Sequence, residues 1–152
     1  MIQRVYTDTS VFGGYFDEEF RDGSIQLIEE FKNGEKVLVI SDVTLRELEL
    51  APDNVKKLLD EIPSENIEYV IFNDDSNFLS EKYIEENAVS PKYLLDAQHI
   101  AIATLNKVDV LVSWNFKHIV NLRRIQLYNS VNIKYGHSFI EIRSPKEVIN
   151  EE

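Results

Sequence analysis

An α/β domain with a parallel sheet covered by helices on both faces is what this sequence predicts. Two observations lead there. Short apolar runs of strand length recur at residues 5–7, 37–40, 67–72, 108–112 and 139–142, and segments of helical periodicity alternate with them. The runs are continuous rather than alternating, which is the pattern of strands buried on both faces. The 152 residues fit one domain, taken as 1–152, and an apolar fraction of 43% suffices for its core.

The elements follow in order. The first strand, residues 5–7, closes on Asp8 and is followed by Gly13-Gly14, read either as a plain turn or as a close approach of backbone to a phosphate. Residues 24–32 form a helix, since Ile25, Ile28 and Phe31 recur at helical spacing and Asn33-Gly34 stops it. The second strand, 37–40, runs into Ser41 and Asp42, good N-caps for a helix that carries Glu47 and ends before Pro52. Asp53 or Asn54 caps the next helix, with Val55, Leu58, Leu59 and Ile62 inward. After the third strand come a helix over 76–87 and a second that starts at Ser90-Pro91 and runs to Asn106. Leu95, Ile102 and Leu105 are among its apolar positions, and Ala97, Ala101 and Ala103 allow close packing on a sheet. The fourth strand leads into Ser113-Trp114-Asn115. A short helix is expected over 117–122, and a polar-aromatic loop carries Tyr128, Asn129, Asn132 and Tyr135. The last strand, 139–142, precedes a helix opened by Ser144-Pro145. Periodicity does not give the order of the strands.

Composition narrows the chemistry. The chain has no Cys, which excludes disulfides, thiolate metal sites and cysteine nucleophiles. No apolar run approaches the roughly 20 residues of a membrane span, and a cytoplasmic protein is the expectation. The net charge is -11 but unevenly spread. Residues 1–105 carry -13 while residues 106–143 carry +4, from Lys107, Lys117, Arg123, Arg124, Lys134 and Arg143 against Asp109 and Glu141. A phosphate-binding face and a merely solvated basic surface fit that island equally.

Three carboxylates are the candidate chemistry. Asp8 ends the first strand, Glu47 lies about two helical turns beyond the second, and Asp96 sits in the apolar segment Leu94-Leu95-Asp96-Ala97 of a helix that leads to the fourth. Open parallel sheets bind ligands outside the carboxyl ends of their strands. Carboxylates gathered there suit a hard divalent cation such as Mg²⁺. An ion so held can generate a nucleophilic water for phosphodiester hydrolysis without any residue being covalently modified.

At this point the chain resembles the PIN-domain family, which includes the VapC toxins of toxin–antitoxin pairs. The resemblance spans nearly the whole length. It rests on Val5-Tyr6-Thr7-Asp8-Thr9-Ser10, on Ser41-Asp42-Val43-Thr44-Leu45-Arg46-Glu47-Leu48, on Leu95-Asp96-Ala97-Gln98-His99-Ile100-Ala101-Ile102-Ala103, on Leu111-Val112-Ser113-Trp114-Asn115-Phe116 and on Ile142-Arg143-Ser144-Pro145-Lys146-Glu147. It implies a five-stranded parallel sheet in order 3-2-1-4-5 between helices, a metal-dependent endoribonuclease using Mg²⁺ or Mn²⁺, an antitoxin partner and a homodimer. By the same resemblance Asp8, Glu47 and Asp96 are the acidic ligands, and Ser10 and Ser113 are supporting hydroxyls. The fourth acidic position is Asn115, a neutral residue whose carbonyl can still ligate a cation. Its neutrality lowers the expected metal affinity and keeps open an alternative, a PIN-fold module that binds protein or nucleic acid with weak or no catalysis. A Mg²⁺-dependent phosphatase fits less well, since it would want an Asp at the position of Ser10.

Simpler roles stand beside these. A plain turn cap is the simpler role for Asp8, and a solvated partner of Arg46 or Lys57 the simpler role for Glu47. His99, His118 and His137 lack metal-ligand spacing, and a surface or hydrogen-bonded role is expected for each. Lys117, His118, Arg123 and Arg124 are the candidate RNA contacts. Trp114 is expected in the core rather than stacked on a base, and Tyr15, Phe16 and Phe20 belong either to the core or to a dimer contact.

Overall fold

A computed structural model of the chain describes residues 1–150. Five strands form one sheet: β1 (Gln3–Thr7), β2 (Lys36–Ser41), β3 (Ile67–Val70), β4 (Val110–Val112) and β5 (Ile142–Arg143). Every pairing is parallel, and the order is β3-β2-β1-β4-β5. Val5 pairs with Leu38 on one side and Val110 on the other, so β1 is the central strand.

Alternation along the strands divides the core in two. Val5, Leu38, Ile40, Val110 and Val112 face one layer, where α1 (Thr9–Gly14), α2 (Arg21–Lys32), α3 (Asp42–Glu49) and α4 (Asp53–Asp60) contribute Phe12, Leu27, Phe31, Leu48 and Leu58. Tyr6, Val39 and Leu111 face the other. That layer holds α5 (Asp74–Glu85), α6 (Leu94–Leu105) and α7 (Leu122–Lys134). A short α8 (Pro145–Val148) ends the described fold, opened by a Ser144/Glu147 capping box.

Most expected elements are present with shifted ends. Ser41 caps α3 through a bond from the Thr44 amide. Ser90-Pro91 opens a 3₁₀ turn, and α6 proper begins at Leu94. Three expectations fail. Residues 117–120 lie in turns and a bend, and the helix there is α7, which takes in Tyr128, Asn129 and Asn132 of the supposed loop and ends on Tyr135 as its C-cap. Its inward stripe is Tyr128, Asn129, Val131 and Asn132, and buried asparagines hide a helical period built on hydrophobicity. They are satisfied: Asn129 bonds both backbone groups of Ile140, and Asn132 accepts from Tyr83. The last strand is only Ile142–Arg143, and Phe139 is 74% exposed. Leu95 points outward, 51% exposed, because the buried side of α6 is Ala97 and residues 99–104.

Gly13 and Gly14 do not break the chain after Asp8; they are the last turn of α1. A Cβ on Gly14 would lie 2.6 Å from Trp114 Nε1 and 2.7 Å from Ser24 Oγ. Those two atoms are bonded to each other at 2.8 Å, and Trp114 stacks on Phe20 with ring centroids 4.5 Å apart. Trp114 is therefore a core residue, and Gly14 exists to admit it. Gly14→Ala is expected to lower stability by roughly 1–3 kcal/mol through overpacking. Gly13→Ala, which meets nothing within 4 Å, is expected to be neutral or to stabilise by about 0.5–1 kcal/mol. Urea denaturation of the two variants checks the pair; equal midpoints would refute the close-approach account.

Candidate active site

The chain leaves β1 toward β2 on one side, and β4 lies on the other, so the sheet has its topological switch between β1 and β4. Asp8 stands there. It caps α1, and its carboxylate is buried. Oδ1 accepts from the Ser10 hydroxyl at 2.6 Å and the Ser10 amide at 3.2 Å; Oδ2 accepts from the Ser113 hydroxyl at 2.7 Å. Ser10 Oγ also accepts from the Trp114 amide, and Ser113 Oγ from the Asn115 amide. The two hydroxyls thus tie the ends of β1 and β4 together around one carboxylate. Burial pushes the Asp8 pKa up, against the lowering influence of His99 and both hydroxyls.

Asp96 reaches the same place from the first turn of α6. Its Oδ2 accepts from Asn115 Nδ2 at 3.3 Å. Burial, and then the negative charges of Asp8 and Glu47, lift its pKa to about 6, although His99 and Asn115 pull it down. Clustered carboxylates in a partly dry setting hold protons in this way. Such a pair is left with negative charge that a cation would relieve.

Glu47 arrives from α3 but turns toward α6. Its Oε1 lies 2.6 Å from His99 Nε2, and His99 Nδ1 lies 2.6 Å from the Tyr6 hydroxyl, which lies 2.7 Å from Ser41 Oγ. His99 is buried. Burial opposes its charge, but the Tyr6 oxygen, the bond to Glu47 and the charges of Asp8 and Glu47 outweigh it, and the pKa rises to about 10. An imidazolium therefore sits against the acidic centre. The sequence suggests no more than a hydrogen-bonded role for His99. The available signal is its spacing, three residues after Asp96 on one helix, which puts both side chains on the same side.

Asn115 is placed at the centre, but its atoms are directed differently from the sequence expectation. Its Oδ1 accepts from the amides of Lys117 and His118 at 3.2 and 3.0 Å, and those donors fix which end of the amide is oxygen. Its Nδ2 faces Asp96. The carbonyl expected to ligate an ion is used to hold the turn that follows β4, and the side chain acts on Asp96 as a donor.

That turn brings a different charge to the site. His118 is only 9% exposed, stacks on Tyr93 with centroids 3.6 Å apart, and has no hydrogen-bond partner for Nδ1 among the described residues. Burial lowers its pKa, with Lys117, Arg124 and Lys92 adding to the effect. Arg124 lies in the first turn of α7 and donates to the Ala88 carbonyl at 2.9 Å. Arg123 is exposed on that turn. Lys92 and Tyr93, from the 3₁₀ turn before α6, have no counterpart in the sequence expectation.

The donors suit a hard cation, being carboxylate oxygens with hydroxyls behind them. Among the described residues no three His, Asp or Glu side chains lie close enough together to hold an ion as they stand. Mg²⁺ commonly takes one or two carboxylates and fills its remaining positions with water. Buried Asp8 and half-buried Asp96, both with raised pKa values, fit that smaller demand. Recruiting Glu47 as well would take it from His99.

No protein-family model matches the chain, and no curated protein sequence matches it. Solved structures do. The FitAB complex bound to a DNA fragment aligns at TM-score 0.60 and 9% identity, covering 97% of this chain and 99% of that one. VapC20 of Mycobacterium tuberculosis, a sarcin–ricin loop cleaving toxin, aligns at 0.57 and 11%, covering 75% and 92%. VapBC2 of Rickettsia felis, bound to a promoter DNA fragment, aligns at 0.55 and 14%, covering 93% and 98%. At such identities the likeness is one of fold, and the fold is PIN-like, with the strand order that the resemblance in sequence implies.

Proposed function

We propose that this protein is a divalent-cation-dependent endoribonuclease, the toxin of a type II toxin–antitoxin pair. The observation that carries the reading is the pairing of Asp8 and Asp96 at the switch point, both with pKa values raised by burial. Asp8 and Asp96 would hold Mg²⁺ or Mn²⁺, with Glu47 available if it leaves His99. When bound, the ion supplies Lewis acidity at the phosphodiester and an acidified water. The chain's own residues do the rest. Ser10 and Ser113 fix both oxygens of Asp8, so its carboxylate cannot rotate away. Asn115 orients Asp96. RNA is the substrate, an antitoxin the regulatory partner and a homodimer the assembly in this reading; it is supported by toxin–antitoxin complexes among the structural neighbours.

The test is hydrolysis of a panel of structured and single-stranded RNAs by stringently purified protein, in EDTA, Mg²⁺ and Mn²⁺, with Asp8→Asn alongside. Cleavage that needs the cation and disappears in the variant is expected. A second reading, a PIN-fold binding module, draws on Asn115, whose carbonyl is engaged by backbone, and on the Glu47–His99 pair. Silence of a folded wild-type protein with every cation would favour it.

A further inference from the structure

Lys92 lies over the Tyr93 ring that stacks on His118, Lys117 precedes His118 in the chain, and Arg124 holds the Ala88 carbonyl; the charges of all three act on His118, in a chain whose net charge is -11. Among the described residues none of the three has an acidic partner within ion-pair distance. Such a group repels itself. Arg123 adds a fourth charge, and it and Arg124 occupy the first turn of the 13-residue α7, the positive end of its dipole. Basic residues are normally placed at the other end. An anion at this position relieves both effects.

The backbone that carries Lys117 and His118 is fixed relative to Asp96. One side chain, Asn115, bonds Asp96 through Nδ2 and the amides of Lys117 and His118 through Oδ1. On the other side Lys92 lies 5.8 Å from the centre of the Tyr93 ring, which packs on His118. The Tyr128 hydroxyl holds the His118 carbonyl at 2.7 Å. One side chain thus joins Asp96 to the turn that carries Lys117. The acidic group suits a cation; the basic groups beside it suit a phosphate that is not the one being attacked.

We propose that Lys92, Lys117 and Arg124, near the His118–Tyr93 stack, form a subsite for a backbone phosphate of single-stranded RNA next to the scissile one. The assignment of the phosphate to RNA rests on the nuclease reading above. His118 and Tyr93 are the platform that spaces the three cations, and they need not touch the strand.

The experiment is fluorescence anisotropy with a labelled single-stranded RNA in EDTA, where no cation-dependent cleavage intrudes, over a range of KCl. Wild type is compared with Lys92→Ala, Lys117→Ala, Arg124→Gln and the triple variant. Lys107→Gln, before β4 at the opposite edge of the sheet, is the control. Single-strand binding weakens with salt at a log–log slope of about 0.7 per phosphate contact. The triple variant is expected to bind 10–100-fold more weakly and to lose roughly 2 from that slope, with Lys107→Gln unchanged. Lys92→Arg and Lys117→Arg should restore it, which a folding defect would not allow. Wild type that does not bind, or variants that keep both affinity and slope, overturn the proposal. So does a triple variant whose loss appears only with an acidic peptide and not with RNA. Hydrolysis in Mg²⁺ is read separately: RNA bound through these cations but never cut sustains the subsite and removes the nuclease.

Discussion

Asp96→Asn is expected to abolish cation-dependent RNA cleavage and at the same time to stabilise the cation-free protein. The two effects share one cause. A carboxylate in a half-buried place beside Asp8 and Glu47 is held at about 6, above its ordinary 3.8. A pKa raised on folding means that the folded state binds the proton more tightly than the unfolded state. The penalty is absent below about pH 4, grows as pH rises through the window between 3.8 and about 6, and is constant above it. A difference of about 2 units corresponds to roughly 3 kcal/mol as an upper figure. Asn keeps the shape and an acceptor for Asn115 but never ionises. Urea denaturation in EDTA should therefore show the variant more stable than wild type at pH 7–8 and the gap closing toward pH 4. The loss in activity should be on the order of 10³-fold, since removing a charged ligand takes several kcal/mol from the transition state. Added Mg²⁺ should raise the Tm of wild type more than that of the variant. An inactive variant that is less stable at every pH would mean that Asp96 is structural.

Much of this site was legible because it depends on residue type at strand ends. Asp8 follows an apolar run, and Asp96 breaks an otherwise apolar helix, so both stand out without coordinates. The strand order came with the resemblance, because parallel strands of similar composition carry no label for their neighbours. What remained hidden depends on side-chain direction. Asn115 was readable as present but not as a donor to Asp96, since an amide offers opposite chemistry at its two ends and only the amides of Lys117 and His118 decide between them. α7 does not show in the hydrophobic pattern because its inward positions include Asn129 and Asn132, which are satisfied by partners outside the helix. The outward turn of Leu95 and the exposure of Phe139 were missed for the opposite reason: apolar type predicts burial, yet a folded surface retains many apolar groups.

His99→Gln is expected to destabilise the protein in a pH-dependent way, and that dependence is the informative part. The imidazole is buried with Tyr6 on one nitrogen and Glu47 on the other. Its folded pKa of about 10 exceeds its ordinary 6.5, so the folded state holds the proton more tightly. The resulting stabilisation is fully present below about 6.5 and is lost as pH rises through about 10. Removing one partner of a mostly buried ion pair costs on the order of 3–5 kcal/mol, and partial exposure of Glu47 places this case at the lower end. Guanidinium titrations from pH 6 to 10.5 should show the wild type losing its advantage over the variant steadily between about pH 6.5 and about 10. A gap that stays constant with pH would mean a neutral imidazole held by packing alone. The charge also bears on function. An imidazolium beside Asp8 and Glu47 already balances part of the centre's negative charge, and it holds Glu47 away from Asp8 and Asp96. With Asn115 neutral as well, the surroundings favour one cation over two. Replacing His99 by a neutral residue frees Glu47 and removes that positive charge. The Mg²⁺-induced rise in Tm should accordingly be larger in His99→Gln than in wild type. A smaller rise would show that the imidazolium organises the cation site rather than competing with it.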